Sequence, residues 1–298
     1  MDPKKIKLGI SPIGWTNDDM PDLGGEITFE QCVSEIALSG FTGCEIGNKF
    51  PKDTKLLKHM LDIRGVQVCN AWFSCYFTTK PYEETEKAFI LHRDRLHALG
   101  AKIIGASEQG GTLQRSDTGI FSPDRPVMTD AQWETVTKGF EKLGRLAKEK
   151  GMEFTIHHHM GTSIQTAEEI DRLMDMTDPQ YVSLLFDTGH LAFDGIDSLT
   201  VLKKHIGRIK HVHLKDVRKA MLRETIDKKY SFLHAVRKGV FSVPGDGDIV
   251  DFPAVFKELE RAGYEGWMVV EAEGDPAVTN PFEYAVLTRK YIKATAGV

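Results

Sequence analysis

Eight times along the chain a short apolar run is followed by an amphipathic segment, and this alternation constrains the fold more than any other feature. The apolar runs span residues 6–11, 43–47, 66–73, 101–107, 153–159, 182–187, 209–215 and 267–273. Helical patterns fill 28–39, 53–64, 82–98, 130–150, 165–177, 198–206, 251–262 and 282–294. Strand and helix in strict alternation, joined by short connections, imply a parallel sheet. Eight such units in 298 residues predict a closed (β/α)8 TIM barrel. An open doubly wound sheet is the alternative, but no GxGxxG follows the first run. With no Pro- or Ser-rich linker, residues 1–298 read as a single barrel domain carrying a long loop insertion at about 216–250. Punctuation supports the helices: Thr28 and Gln31 have capping-box spacing, and glycines follow several helix ends.

The bulk properties exclude several classes. A net charge of −5 gives no basic footprint for nucleic acid. No apolar run approaches the roughly 20 residues that span a bilayer. The N-terminal stretch lacks the apolar core and cleavage site of a signal peptide. Cys32, Cys44, Cys69 and Cys75 form no CxxC pair, which suits reduced, buried thiols in a cytoplasmic enzyme.

Charged residues late in barrel strands need a reason, because barrel interiors are filled with branched apolar side chains. Here the second run ends with Glu45, the fourth with Glu108 and the fifth with His157, His158 and His159. Asp187 and His190 end the sixth, His211, His213, Lys215 and Asp216 the seventh, and Glu271 and Glu273 the eighth. All are expected on the C-terminal rim, where barrel enzymes place their sites. Buried carboxylates repel one another unless a cation neutralises them. Asp187, His213 and Glu271 together therefore point to a divalent metal, and mixed oxygen and nitrogen donors suit manganese, cobalt, iron or zinc. Within the triple histidine, alternation puts His157 and His159 on one face and His158 on the other.

The motifs "DTGH" (187–190), "HVHLKD" (211–216), "VPGDG" (243–247) and "WMVVEAE" (267–273) resemble the xylose-isomerase-like barrels. Within them, "SPIGWTNDDMPDLGGE" (11–26), "GNKFP" (47–51), "AWFS" (71–74), "HHHMGT" (157–162) and "HVHLKDVR" (211–218) resemble the inosose dehydratase family over nearly the whole chain. The resemblance implies dehydration of 2-keto-myo-inositol (scyllo-inosose) in inositol catabolism. It also implies a divalent metal, manganese or cobalt foremost, and a possible glutathione requirement for which no binding motif is visible. A homo-oligomer is compatible with it. The alternative activity is a ketose or keto-polyol isomerase or epimerase of the same superfamily.

By the same resemblance Asp187, His213 and Glu271 are metal ligands. The superfamily's fifth-strand Glu is replaced by His157, which becomes the fourth ligand, with Glu108 as its rival. Lys215 is a base if cations lower its pKa and otherwise orients an oxyanion. His190 is a general acid or substrate donor, and Glu271 doubles as ligand and base. Trp15 and Trp72, which follow the first and third runs, are expected to pack on the polyol ring. Glu45, Glu108, His159 and Arg218 are expected to contact substrate.

Overall fold

The computed structural model describes residues 1–298. The strands are β1 (Ile6–Ile10), β2 (Gly43–Glu45), β3 (Gln67–Asn70), β4 (Trp72–Cys75), β5 (Ile103–Glu108), β6 (Glu153–His157), β7 (Ser183–Asp187), β8 (Ile209–Leu214), β9 (Asp216–Val217), β10 (Phe241–Ser242) and β11 (Gly266–Val270). Nine of them form one parallel sheet in the order β3-β2-β1-β11-β8-β7-β6-β5-β4. The two ends of that order, β3 and β4, are separated in the chain by Ala71 alone, so the sheet closes on itself as a (β/α)8 barrel.

The third apolar run is thus a strand broken at one residue. Its first half pairs with β2 and its second with β5. Asn70 spans the break with its side chain: Oδ1 accepts from the Gly105 N–H on β5 at 2.6 Å, and Nδ2 donates to Glu45 Oε1 on β2 at 2.8 Å. Gly105 allows this approach, since a Cβ there would lie 2.7 Å from Asn70 Nδ2.

The eight expected helices occur at Phe29–Leu38, Thr54–Asp62, Tyr82–Ala98, Asp130–Lys148, Ala167–Met176, Ser198–His205, Phe252–Arg261 and Pro281–Ala296. Only half of the expected capping box forms at the first of them. Thr28 accepts from the Gln31 N–H, but the Gln31 side chain turns to Glu35 instead. Complete boxes form at Thr129/Gln132 and Thr166/Glu169. The sheet and its helices enclose a cluster of 60 buried hydrophobic residues, with Phe89, Phe140, Phe154 and Phe186 wholly buried in it.

The rim carries one helix that was not foreseen and the expected insertion. Immediately after β7 the chain turns into a short helix, Thr188–Phe193. Residues 216–250 form the antiparallel pair β9–β10 enclosing two helices, Lys219–Lys228 and Phe232–Arg237. Phe232, Val236, Val240 and Phe241 of this insertion pack with Phe193, Leu113 and Met20 in a second, smaller core above the rim. No helix is long and apolar enough to cross a membrane. All four cysteines are buried free thiols.

Candidate metal centre and active site

Asp187 ends β7 and caps the helix that follows. Its Oδ1 accepts from the Gly189 and His190 N–H groups at 2.7 and 2.9 Å. This is why the chain bends directly after the strand: "DTGH" supplies an N-cap aspartate and a glycine whose missing Cβ makes room for the Lys215 stem. The other oxygen, Oδ2, is left facing the barrel axis. It lies 3.3 Å from His157 Nε2, 3.4 Å from His213 Nδ1 and 3.8 Å from Lys215 Nζ.

Glu271 completes the group from the end of β11. Its Oε2 is 3.2 Å from His213 Nδ1 and its Oε1 accepts from Lys215 Nζ at 2.7 Å. Lys215 also reaches both oxygens of Glu273, at 3.0 and 2.8 Å, and its Nζ is 3.3 Å from His190 Nε2. His157, Asp187, His190, His213, Lys215, Glu271 and Glu273 therefore converge from four strand ends, and all are buried, whereas Asp216 turns to the Val217, Ile249 and Val250 N–H groups.

Burial pulls the Lys215 ammonium down, but Glu271, Glu273 and Asp187 outweigh it and hold it well above its ordinary value. Its contacts with Glu271 and Glu273 place it to orient both carboxyl groups. Burial opposes ionisation of Asp187 too, yet Lys215 and the neighbouring imidazoles keep its carboxyl well below the usual range. Burial pushes Glu273 up to about 7, with Lys215 opposing and Glu271 adding to the rise. His190 and His159 are driven well down by burial and by each other, and both stand as neutral imidazoles.

A cavity of about 440 Å3, a size typical of small-molecule sites, opens above this cluster. Glu45, Glu271, Glu273, His159 and Trp72 line it, with Asn17, Asp18, Asp19, Gln109 and Gln114 from rim loops and Phe232, Leu233 and Val236 from the insertion. Trp72 stands edge-on to His157 and His159 at ring distances of 5.5 and 5.7 Å. His159 lies beyond the end of β6 but on the same side as His157, as alternation requires. His158 faces away, by the same alternation, and its Nε2 accepts from the Asp187 N–H at 3.2 Å, so it braces the end of β7.

Three expectations are corrected. Trp15 does not meet the cavity: a short turn at Pro12–Gly14 carries the indole beneath the rim, where it is buried and donates to Glu35 at 2.6 Å. Glu108 is neither ligand nor substrate contact. Its two oxygens accept from the Phe77, Thr78 and Gly110 N–H groups and the Thr78 hydroxyl, so it organises the loops after β4 and β5. Arg218 lies outside the cavity, holding the Gly239 and Phe241 carbonyls, Asp246 and the Tyr284 hydroxyl. It latches the insertion instead of contacting substrate.

The donor set fits a divalent cation. His157, Asp187, His190 and Glu271 each offer an atom within 4.8 Å of the others. His213 Nδ1, buried and without a hydrogen-bond partner, lies between two carboxylates. His190 Nε2 already faces the Lys215 ammonium, which leaves His213 the freer imidazole.

A family model described as the xylose isomerase-like TIM barrel matches residues 33–294. The chain is 60% identical over 295 residues to an inosose dehydratase of Geobacillus thermodenitrificans, covering 99% of this chain and 98% of the relative. The chain belongs to the inosose dehydratase family. A second member, from Clostridium tetani, is 58% identical over 99% of this chain and 98% of its own. The family's members are hydro-lyases. A solved structure of the IOLI protein with a bound zinc atom superposes with a TM-score of 0.73 at 14% identity, covering 98% of each chain, which shows a shared fold.

Sequence reasoning set Glu273 and His211 on the rim without giving either a role, although Glu273 shares a face with Glu271 two residues earlier. It missed two contributors, Gln109 in the cavity wall and Asn70 at the barrel seam, which nothing local marked.

Proposed function

We propose that this protein dehydrates 2-keto-myo-inositol in inositol catabolism, using a divalent cation, manganese or cobalt foremost, held by His157, Asp187, His213 and Glu271. The observation that carries the reading is the floor of the cavity. There two glutamates reach a substrate-sized space directly above a buried histidine and aspartate cluster, in a chain 60% identical to an inosose dehydratase. When bound, the cation would act as a Lewis acid toward the ketone oxygen and so lower the barrier to enolisation.

The chain's own residues account for the rest. Trp72, partly exposed at the cavity wall, offers its face to the C–H side of the ring. His159 donates Nδ1–H to the Met160 carbonyl at 2.8 Å, so its Nε2 is left to accept from a substrate hydroxyl. Lys215, behind the floor, donates to Glu271 and Glu273 together and fixes both carboxyl groups toward the cavity. Glu273 is held by Lys215 alone, and we assign it the proton transfer. It takes the proton α to the ketone and returns it to the β-hydroxyl, which leaves as water; the ring keeps the new double bond. One carboxyl serves both transfers if both groups leave from one face of the ring. Glutathione enters this reading only through the family resemblance.

The test is to strip the protein with chelator, restore manganese, cobalt, zinc or magnesium separately, and supply 2-keto-myo-inositol. Metal-restored ultraviolet absorbance of a conjugated enol-dione supports the reading and ranks the ions. Metal binding without absorbance shifts the activity to isomerisation or epimerisation of another keto-polyol. Absorbance that survives complete metal removal refutes the cation's role.

A further inference from the structure

The two ring nitrogens of His213 face different partners. Nδ1 points between Asp187 Oδ2 and Glu271 Oε2, at 3.4 and 3.2 Å, and makes no hydrogen bond. Nε2 lies 3.0 Å from Glu45 Oε1, across the barrel on β2. Both nitrogens thus face carboxylates; a cation in the gap would take the Nδ1 lone pair and leave the ring hydrogen on Nε2, where Glu45 accepts it. We propose that Glu45 is a positioning residue: it holds the His213 Nε2–H and keeps Nδ1 aimed into the gap between Asp187 and Glu271. The inference rests on the cation site assigned above and adds the group that orients one of its ligands.

Glu45 is itself held. Asn70 Nδ2 donates to the same Oε1 at 2.8 Å, and Asn70 Oδ1 is fixed by the Gly105 N–H at 2.6 Å. The orientation of the Asn70 amide follows from that contact, because the Gly105 N–H requires an oxygen. A chain of contacts therefore runs from β5 through Asn70 and Glu45 to His213, and it crosses the seam at which the barrel closes. Glu45 cannot swing away without releasing that seam. His211 Nε2 is 3.6 Å from Glu45 Oε1, too long for a hydrogen bond. Its ring stands edge-on to His213 at 5.4 Å and forms a side wall.

The competing arrangement is a second cation held by Glu45, His211 and His213, whose donor atoms also lie within 4.8 Å of one another. Two observations oppose it. Glu45 Oε1 already accepts the Asn70 amide hydrogen, and His213 would have to lose both ring hydrogens to serve two ions. A carboxylate behind a metal-bound histidine typically carries 10–100-fold in metal affinity.

The experiment titrates wild type, Glu45→Gln and Glu45→Ala with zinc ion alone against a chromophoric chelator, and counts zinc per folded chain. Wild type is expected to bind one zinc. Glu45→Ala should bind about 10–100-fold more weakly, and Glu45→Gln, which keeps a carbonyl acceptor, should lose less. Independently of any variant, nitrogen-15 imidazole spectra of the zinc-loaded wild-type protein should show His213 carrying its hydrogen on Nε2. A folded Glu45→Ala protein with unchanged zinc affinity overturns the proposal, as does a His213 hydrogen on Nδ1 in the zinc-loaded protein. So do two zinc ions per chain, the second lost in Glu45→Ala. A wild-type protein that binds no divalent ion overturns the cation site as well, and the two failures are thereby distinguished.

Discussion

Replacing Lys215 with methionine removes the only ammonium from a floor that holds three carboxylates. In the metal-free protein Lys215 Nζ lies 2.7 Å from Glu271, 2.8 Å from Glu273 and 3.8 Å from Asp187, with the lysine side chain wholly buried. Methionine fills a similar volume, so the packing loss is small and the unpaired carboxylates dominate. Removing one partner of a buried ion pair costs about 3–5 kcal/mol. Unfolding entropy near the midpoint is about 2.1 cal/mol/K per residue. Over the 298 residues here it comes to roughly 0.6 kcal/mol/K, so the expected fall in Tm is about 5–8 °C. The assay is thermal unfolding followed by circular dichroism in excess chelator, repeated with saturating zinc. Zinc should narrow the gap between variant and wild type, because its charge offsets what the ammonium no longer supplies. Adding Glu273→Gln to the Lys215→Met background should recover at least about 1 kcal/mol, as coupled neighbours do. A fall of less than about 2 °C without metal, or a double variant no more stable than the single one, would refute the claim that Lys215 neutralises this floor.

Other perturbations probe separate parts of the molecule. Burial pushes the Asp194 carboxyl up to about 6 from an ordinary 3.8, so its ionisation opposes folding. The penalty is absent below about pH 4, grows as pH rises to about 6 and is complete above it. Asp194→Asn should therefore stabilise the protein by about 1–2 kcal/mol at pH 7, allowing for partial exposure, and by almost nothing at pH 4, as read by urea unfolding at both values. Trp72→Ala should raise KM for the keto-inositol about tenfold with little change in kcat, matching the loss of about 1–2 kcal/mol of apolar contact; a fall in kcat at constant KM would contradict a packing role. Glu108→Ala strips an acceptor from four donors and should cost about 2–4 kcal/mol, while metal affinity, measured by chelator competition, should stay unchanged because Glu108 is no ligand.

How far the sequence could be read depended on whether the signal was local. Apolar runs bounded by helix ends placed all eight strand positions, because strand and helix periodicities are written in neighbouring residues. The break at Ala71 was invisible, since "VCNAWF" is as apolar as an unbroken strand; Asn70 reveals itself only through Glu45 and Gly105, 25 and 35 residues away. Asp187, His213 and Glu271 were legible because each ends a strand and all the strands run the same way. That same rule misplaced Glu108, which also ends a strand but meets a loop returning over it. Trp15 failed for a comparable reason: the turn at Pro12–Gly14 reverses its side chain, and proximity to a strand end does not encode direction. The contact between Glu45 and His213 joins residues 168 apart and exists only because the barrel closes.

The Arg218 latch separates two tasks within one chain. Phe232, Leu233 and Val236 form part of the cavity wall, yet the segment bearing them is tied to the barrel near its base, where one guanidinium gathers Gly239, Phe241, Asp246 and Tyr284. The acidic floor, by contrast, belongs to the strands. Leu233 and Val236 can therefore be varied to reshape the cavity wall, whereas Phe232, packed on His159 and His190, is where the insertion and the floor answer to each other.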